Sequence, residues 1–344
     1  MPTINRGDDY FQAVTYTGNG STNTITGLRF QPDFVWVKGR SGATDHALYD
    51  SVRGTTKDLV SNSTAAETTQ ATGLTAFNSD GFTLGALAKM NTNTATYVAW
   101  CWKAGGTTSS NTNGSITSTV SVNATAGFSV VTYTGTGANA TVGHGLGVAP
   151  KMIIVKGRSI AESWRVGHNS VNGGSSPWNY YMALNLTNAA AAASTVWNNT
   201  APTSSVFSIG TDSAMNSNTN TYVAYCWAEI AGFSKFGSYT GNGSADGPFV
   251  YTGFRPKFIM RKQITDNGDV GNWIIFDTSR DTYNVATRRL LANSSNAEAT
   301  PGNNIDVLSN GWKERNSDGY SNASGQSYIY MAFAENPFKN SLAR

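Results

Sequence analysis

Apolar and polar side chains alternate in short runs along this chain, and the strongest run is written three times. It reads Thr96-Tyr97-Val98-Ala99-Trp100-Cys101-Trp102, then Thr221-Tyr222-Val223-Ala224-Tyr225-Cys226-Trp227, then Ile329-Tyr330-Met331-Ala332-Phe333-Ala334-Glu335. Successive side chains of a strand point to opposite faces. Aligning the copies on Tyr97, Tyr222 and Tyr330 therefore gives one face with an aromatic followed by small residues, and a second face that is bulky. A strand apolar on both faces is covered on both. Tyr97, Trp100, Cys101, Tyr222, Tyr225, Cys226, Tyr330 and Phe333 are expected to form the repeated structural core, with Ala334 standing where the first two copies have cysteine.

Upstream of each copy the same succession recurs. An opening strand runs into a tight turn at Phe11 to Gly20, Phe128 to Gly137 and Phe233 to Gly243, each ending in Tyr-Thr-Gly-Asn-Gly or its Thr variant. A strand led by proline follows, at Pro32 to Arg40, Pro150 to Arg158 and Pro256 to Lys262; proline is tolerated at a first strand residue, where its missing N–H is not needed. The basic pair closing this strand reads either as a solvated strand end or as a ligand-facing rim. Farther on, Asp50 and Arg53 match Asp277 and Arg280, a pairing suited to holding its own turn by a charge-assisted hydrogen bond. The second unit has Trp164-Arg165-Val166-Gly167-His168 there instead.

The pattern predicts an all-β chain of three tandem β-sandwich, jelly-roll-like domains related as internal repeats. The expected division is an N-terminal arm over 1–9, repeat 1 over 10–104, a linker with an extra strand over 105–126, repeat 2 over 127–230, repeat 3 over 231–338 and a C-terminal tail over 339–344. The first half of the linker reads as flexible, and the alanine run from Ala189 to Ala193 as a loop.

Composition supports strands. Charged residues are 13% of the chain, about half the usual share, and Gly, Asn, Thr and Ser supply the polarity. The net charge of +3 is spread without a Lys/Arg block, which argues against nucleic acid as a partner. No apolar run approaches the ~20 residues that span a bilayer, so membrane insertion is not expected. Cys101 and Cys226 occupy equivalent places in different units, too far apart for a bridge, and read as small buried hydrophobes.

Candidate chemistry is sparse. His46, His144 and His168 stand in unrelated contexts with no metal-ligand spacing, no acid recurs where a glycosidase pair would need one, and no cofactor motif occurs. No catalytic or metal residue is assigned. Trp178, Tyr180 and Trp197 lie beside asparagines outside the repeated pattern. They either stack a sugar ring, with neighbouring amides bonding its hydroxyls, or cover the seam between units.

The Tyr-Thr-Gly-Asn-Gly opening, the Pro-x-Phe-Val-x-Val-Lys strand, the Phe-x-Ser-Asp-Gly-Phe turn and the Tyr-Val-Ala-Trp-Cys-Trp strand resemble the tandem β-domain structural proteins of marine tailed bacteriophages, from about Tyr10 to Phe338. The resemblance implies a virion component assembled in the host cytoplasm, tail-fibre-like, with other virion proteins as partners and no catalytic residue to carry over. Two functions fit. One is a tail-associated, homo-oligomeric protein presenting loops to a host-surface glycan; the other is a head-decoration or scaffold protein that clamps neighbouring capsid or tail subunits.

Overall fold

In a computed structural model, which describes residues 4–265, 271–300, 302 and 304–335, the chain is mostly β, built of antiparallel sheets with helices of only three or four residues. Residues 1–3 of the expected arm, the last residues of the third unit and the 339–344 tail lie outside the described residues. One strand order is built three times: opening, closing, proline-led, middle. These strands are Phe11–Thr17, Thr96–Trp102, Phe34–Gly39 and Ala47–Asp50 in the first unit. They are Phe128–Thr134, Thr221–Trp227, Met152–Gly157 and Arg165–His168 in the second. In the third they are Ser234–Thr240, Ser327–Ala334, Pro256–Gln263 and Trp273–Asp277. The closing strand is always flanked on both sides, which is why its residues are apolar throughout. Each unit adds a smaller sheet, centred on Gly81–Leu84, Val206–Ile209 and Gly311–Glu314.

Pairing corrects the register expected for the third copy. Tyr16 lies opposite Tyr97, Tyr133 opposite Tyr222, and Tyr239 opposite Tyr328, each pair stacked at 5.2, 5.3 and 4.9 Å between ring centroids. The hydroxyls of Tyr97, Tyr222 and Tyr328 each accept one backbone N–H, from Thr92, Ser217 and Ala323, and donate to one carbonyl, of Ala88, Ser213 and Gly319. The third copy thus begins at Ser327. Tyr330 stands where the others have Ala99 and Ala224, and Ala332, not Ala334, matches Cys101 and Cys226. Both cysteines are free and buried.

Six residues before each of these tyrosines sits a fully buried asparagine, Asn91, Asn216 or Asn322. Its amide oxygen accepts the N–H of Asn19, Thr136 or Asn242 in the opening turn, at 2.9, 2.8 and 2.9 Å. Its amide nitrogen donates to Gly85, Gly210 or Asn316, at 2.8, 2.7 and 2.7 Å. One side chain thereby ties the opening turn to the segment before the closing strand, where water cannot reach.

The second unit is extended. Ser118–Asn123 pairs with its opening strand and Ser109–Asn111 with Ser118–Asn123, giving an eight-stranded sheet. The extra strand is present, and the segment read as flexible linker carries another. Ala191–Ala192 is a short strand and Ser194–Trp197 a single helical turn.

The bulky faces of the three closing strands meet in one shared core: Val98, Trp100 and Trp102 with Val223, Tyr225 and Trp227, and with Ile329, Met331 and Phe333. Trp102 lies 6.1 Å from Trp227 and 5.7 Å from Phe333, ring to ring, so aromatics of all three units touch. The opposite faces of the first two, Tyr97-Ala99-Cys101 and Tyr222-Ala224-Cys226, pack in separate clusters with their own small sheets.

Replacing Asn216 by alanine removes its bonds to the Thr136 N–H and the Ala138 carbonyl and leaves the buried carbonyl of Gly210 unpaired. The expected loss is about 2–4 kcal/mol, read as a lower denaturation midpoint with an unchanged m-value; a change within experimental error would remove the asparagine from this role.

Candidate functional site

The basic pair of the proline-led strand is neither solvated nor ligand-facing. Lys38, Lys156 and Lys262 are buried, and each crosses to a different unit. Lys38 donates to the Ser295 carbonyl, Lys156 to that of Thr64 and Lys262 to that of Thr187, at 3.2, 2.8 and 2.8 Å. The first unit therefore reaches the third, the second reaches the first, and the third reaches the second. The same cyclic order holds at a second position. His46 Nε2 meets the Leu291 carbonyl, Trp164 Nε1 that of Val60 and Trp273 Nε1 that of Ala183, all at 2.9 Å. At a third position Trp100 Nε1 donates to Asp277 and the Tyr225 hydroxyl to Asp50, while His168 Nε2 meets the Tyr330 carbonyl. Residues separated by 75 positions or more thus close a ring of three seams.

Two seams carry an added ion network. Asp50 accepts the backbone N–H and the guanidinium of Arg53, holding the turn as its spacing suggested. Arg53 also meets Glu67 at 3.0 Å, and Glu67 takes a two-pronged contact from Arg158 of the second unit, 2.9 Å on each prong. Arg280, Glu298 and Arg40 of the first unit repeat this with the same 3.0, 2.9 and 2.9 Å distances. The arginines hold both glutamates below the usual carboxylate range, against a burial that would push them up. At the remaining seam, between units two and three, the corresponding residues are Val171, Ala190 and Ile264; Ala190 N–H still bonds the Ile264 carbonyl as Glu67 does Arg158 and Glu298 does Arg40. A cleft of about 270 Å³ opens there, lined by these three with Asn172, Gly173, Tyr180, Thr265 and Ser327.

Of the sugar-stacking candidates, Trp178 and Trp197 are buried and pack edge to face at 5.2 Å. They fill the space over Gly167, where a Cβ would lie 2.3 Å from the Trp178 ring. They are core, not a stacking platform. Tyr180 alone is half-buried and reaches the cleft. Large exposed hydrophobics that the sequence pattern does not single out include Phe249 and Tyr251, on the outward side of a strand whose Val250 is buried, and Tyr283.

All three histidines are buried, with Nδ1 accepting a hydrogen bond. His46 receives the Trp36 indole N–H, His144 the Leu146 N–H and His168 the Ser170 N–H. Each Nε2 then donates to a carbonyl, fixing one neutral tautomer. Burial lowers His46 to about 3 and His168 to about 4, and lowers His144 as well. It also lowers Lys38 and Lys156 to about 8 and Lys262 to about 7. Inside the third unit Arg261 and Glu314 form a buried ion pair, with the Trp312 indole also donating to Glu314. Among the described residues no three His, Cys, Asp or Glu side chains are grouped to hold a metal, and no helix is long and apolar enough to cross a membrane.

The architecture defines a mostly β protein in which repeated antiparallel sheets are locked by reciprocal polar contacts. The model of a domain of unknown function, DUF7483, matches residues 6–337, and the chain belongs to that family. The match runs through all three units as one domain. A comparison with curated proteins found no match.

Acid should loosen two of the seams. Well above pH 6.5 His46 and His168 are neutral folded or unfolded; as pH falls through 6.5 toward about 4 for His168 and about 3 for His46 the unfolded chain takes up protons that the folded chain refuses. Stability should fall over that window, by about 2 kcal/mol for each histidine at pH 5. In thermal melts His168→Gln should flatten the drop between pH 7 and pH 5; an equally steep profile would count against the mechanism.

Proposed function

We propose that this protein is a non-enzymatic structural component of a bacteriophage virion. In this reading it is tail-associated and fibre-like, assembles with other virion proteins and with itself, and presents divergent loops to a host-surface glycan. Each unit is read as a jelly-roll-like sandwich, three in tandem. The observation that carries the proposal is where the buried polar chemistry goes. The histidines, the strand-end lysines and the Asp–Arg pairs all have structural partners, most of them across a seam. That economy suits a rigid presenting body, and the sequence resemblance supplies the virion setting.

The second reading, a head-decoration or scaffold protein clamping neighbouring capsid or tail subunits, draws on Phe249 and Tyr251. These aromatics lie 45% and 62% exposed on a regular strand, an arrangement suited to contact with another protein. Labelled antibody against the protein, imaged on negatively stained virions, is expected at the tail; signal on the head selects the second reading, and none on purified virions overturns both. On a glycan array the purified protein should retain neutral host-surface glycans, and failure to retain any would remove the recognition role.

A further inference from the structure

We infer that the cleft between units two and three is a binding site for a neutral sugar ring. This rests on the glycan-recognition reading and gives it a location. The argument begins with the internal comparison that the fold supplies. At two seams the space between neighbouring units is filled by Arg53, Glu67 and Arg158 and by Arg280, Glu298 and Arg40. At the third, Val171, Ala190 and Ile264 stand in those places while the surrounding backbone and side-chain contacts are kept. The Ala190 N–H to Ile264 carbonyl bond, the Lys262 contact to Thr187 and the Trp273 contact to Ala183 are all present. What differs is the filling. The cleft is the volume that the missing arginines and glutamate would occupy.

Its lining has a definite chemistry. Val171, Ala190 and Ile264 make an apolar floor, and the Tyr180 and Ser327 hydroxyls stand beside it; Asn172 and Thr265 also line it, the Asn172 amide donating to the Ser175 carbonyl and the Thr265 hydroxyl donating to Gln326 and accepting the Ser327 N–H. The hydroxyls of Tyr180 and Ser327 have no hydrogen-bond partner among the described residues, and no charged side chain lines the cleft. An apolar floor with a few convergent neutral polar groups suits a ligand having one apolar face and a hydroxylated edge, which describes a pyranose. A volume of about 270 Å³ is near the lower end of ligand sites, on the order of 300 Å³, and suits a single ring. A carboxylate or phosphate would lose water and gain no cation there, so acidic sugars are excluded.

Saturation-transfer difference NMR on the full chain tests this, with methyl α-D-glucopyranoside, methyl α-D-galactopyranoside and methyl α-D-mannopyranoside as probes and D-glucuronate as the acidic control. Transfer is expected to at least one neutral glycoside and not to glucuronate. The double variant Ala190→Glu/Ile264→Arg should fill the cleft as the other seams are filled and abolish transfer. Tyr180→Phe should weaken binding at least fivefold with the fold intact by circular dichroism. If the double variant does not fold, Tyr180→Phe and Ser327→Ala decide. No transfer to any neutral glycoside overturns the proposal. Transfer that survives both in the filled cleft and in Tyr180→Phe also overturns it, while leaving glycan recognition elsewhere on the protein standing; a virion without the protein would sink the broader reading whatever the cleft binds.

Discussion

Each unit of this fold buries donors that it cannot satisfy by itself. The ammonium of Lys156, the indole of Trp164 and the hydroxyl of Tyr225 find acceptors on the first unit. The matching groups of the first unit find theirs on the third, and Lys262 and Trp273 of the third find theirs on the second, where His168 donates in return to the Tyr330 carbonyl. A buried donor without an acceptor costs about 1–3 kcal/mol, more when charged, so the requirement is severe and repeated at several positions. Only a closed ring meets it everywhere. The aromatic centre around Trp102 supplies the apolar driving force, and the directional contacts fix how the units are turned toward one another.

The ring is not uniform, and its variation follows the same logic. Buried ion networks contribute little net stability against an apolar filling of similar shape, but they penalise misalignment strongly. Arg158 on Glu67 and Arg40 on Glu298 are two-pronged contacts whose geometry admits one relative position of the units. The seam between units two and three keeps its register without them. There, alignment comes from Trp273, His168 and Lys262, and the released volume faces outward as a cleft. Unit two is also the one widened by the Ser109–Asn123 hairpin, so divergence among the units is concentrated in it.

Strand identity and repetition were readable because they depend on neighbours in sequence. Period-two apolarity marked all three closing strands, and Asp50–Arg53 was readable as a turn because both residues sit in it. Periodicity alone sets the third copy two residues late, because Tyr328 and Tyr330 lie on the same side of the strand and either satisfies the pattern. The constant six-residue spacing from Asn91, Asn216 and Asn322 to Tyr97, Tyr222 and Tyr328 distinguishes them. The fate of the lysines was not readable. A lysine at a strand end looks solvated until a loop from another unit, far away in sequence, covers it. Trp178 and Trp197 misled for a related reason: their packing site exists because Gly167, on a neighbouring strand, has no side chain. The cleft lay beyond sequence reading, since Val171, Ala190 and Ile264 acquire meaning only beside the residues they replace.

The order in which the units hand their contacts round also bears on connectivity. The turn at Gly7 sits against the end of the last closing strand, its Cβ direction 3.0 Å from the Ala334 carbonyl oxygen, and Phe11 stacks on Phe333 at 5.0 Å. The beginning of the first unit therefore abuts the end of the third, much as Phe128 and Trp227 meet within the second. The polypeptide behaves as a necklace whose clasp has no privileged bead. A short link from Ala334 to Gly7, with the chain opened instead between the second and third units, would keep the same three seams.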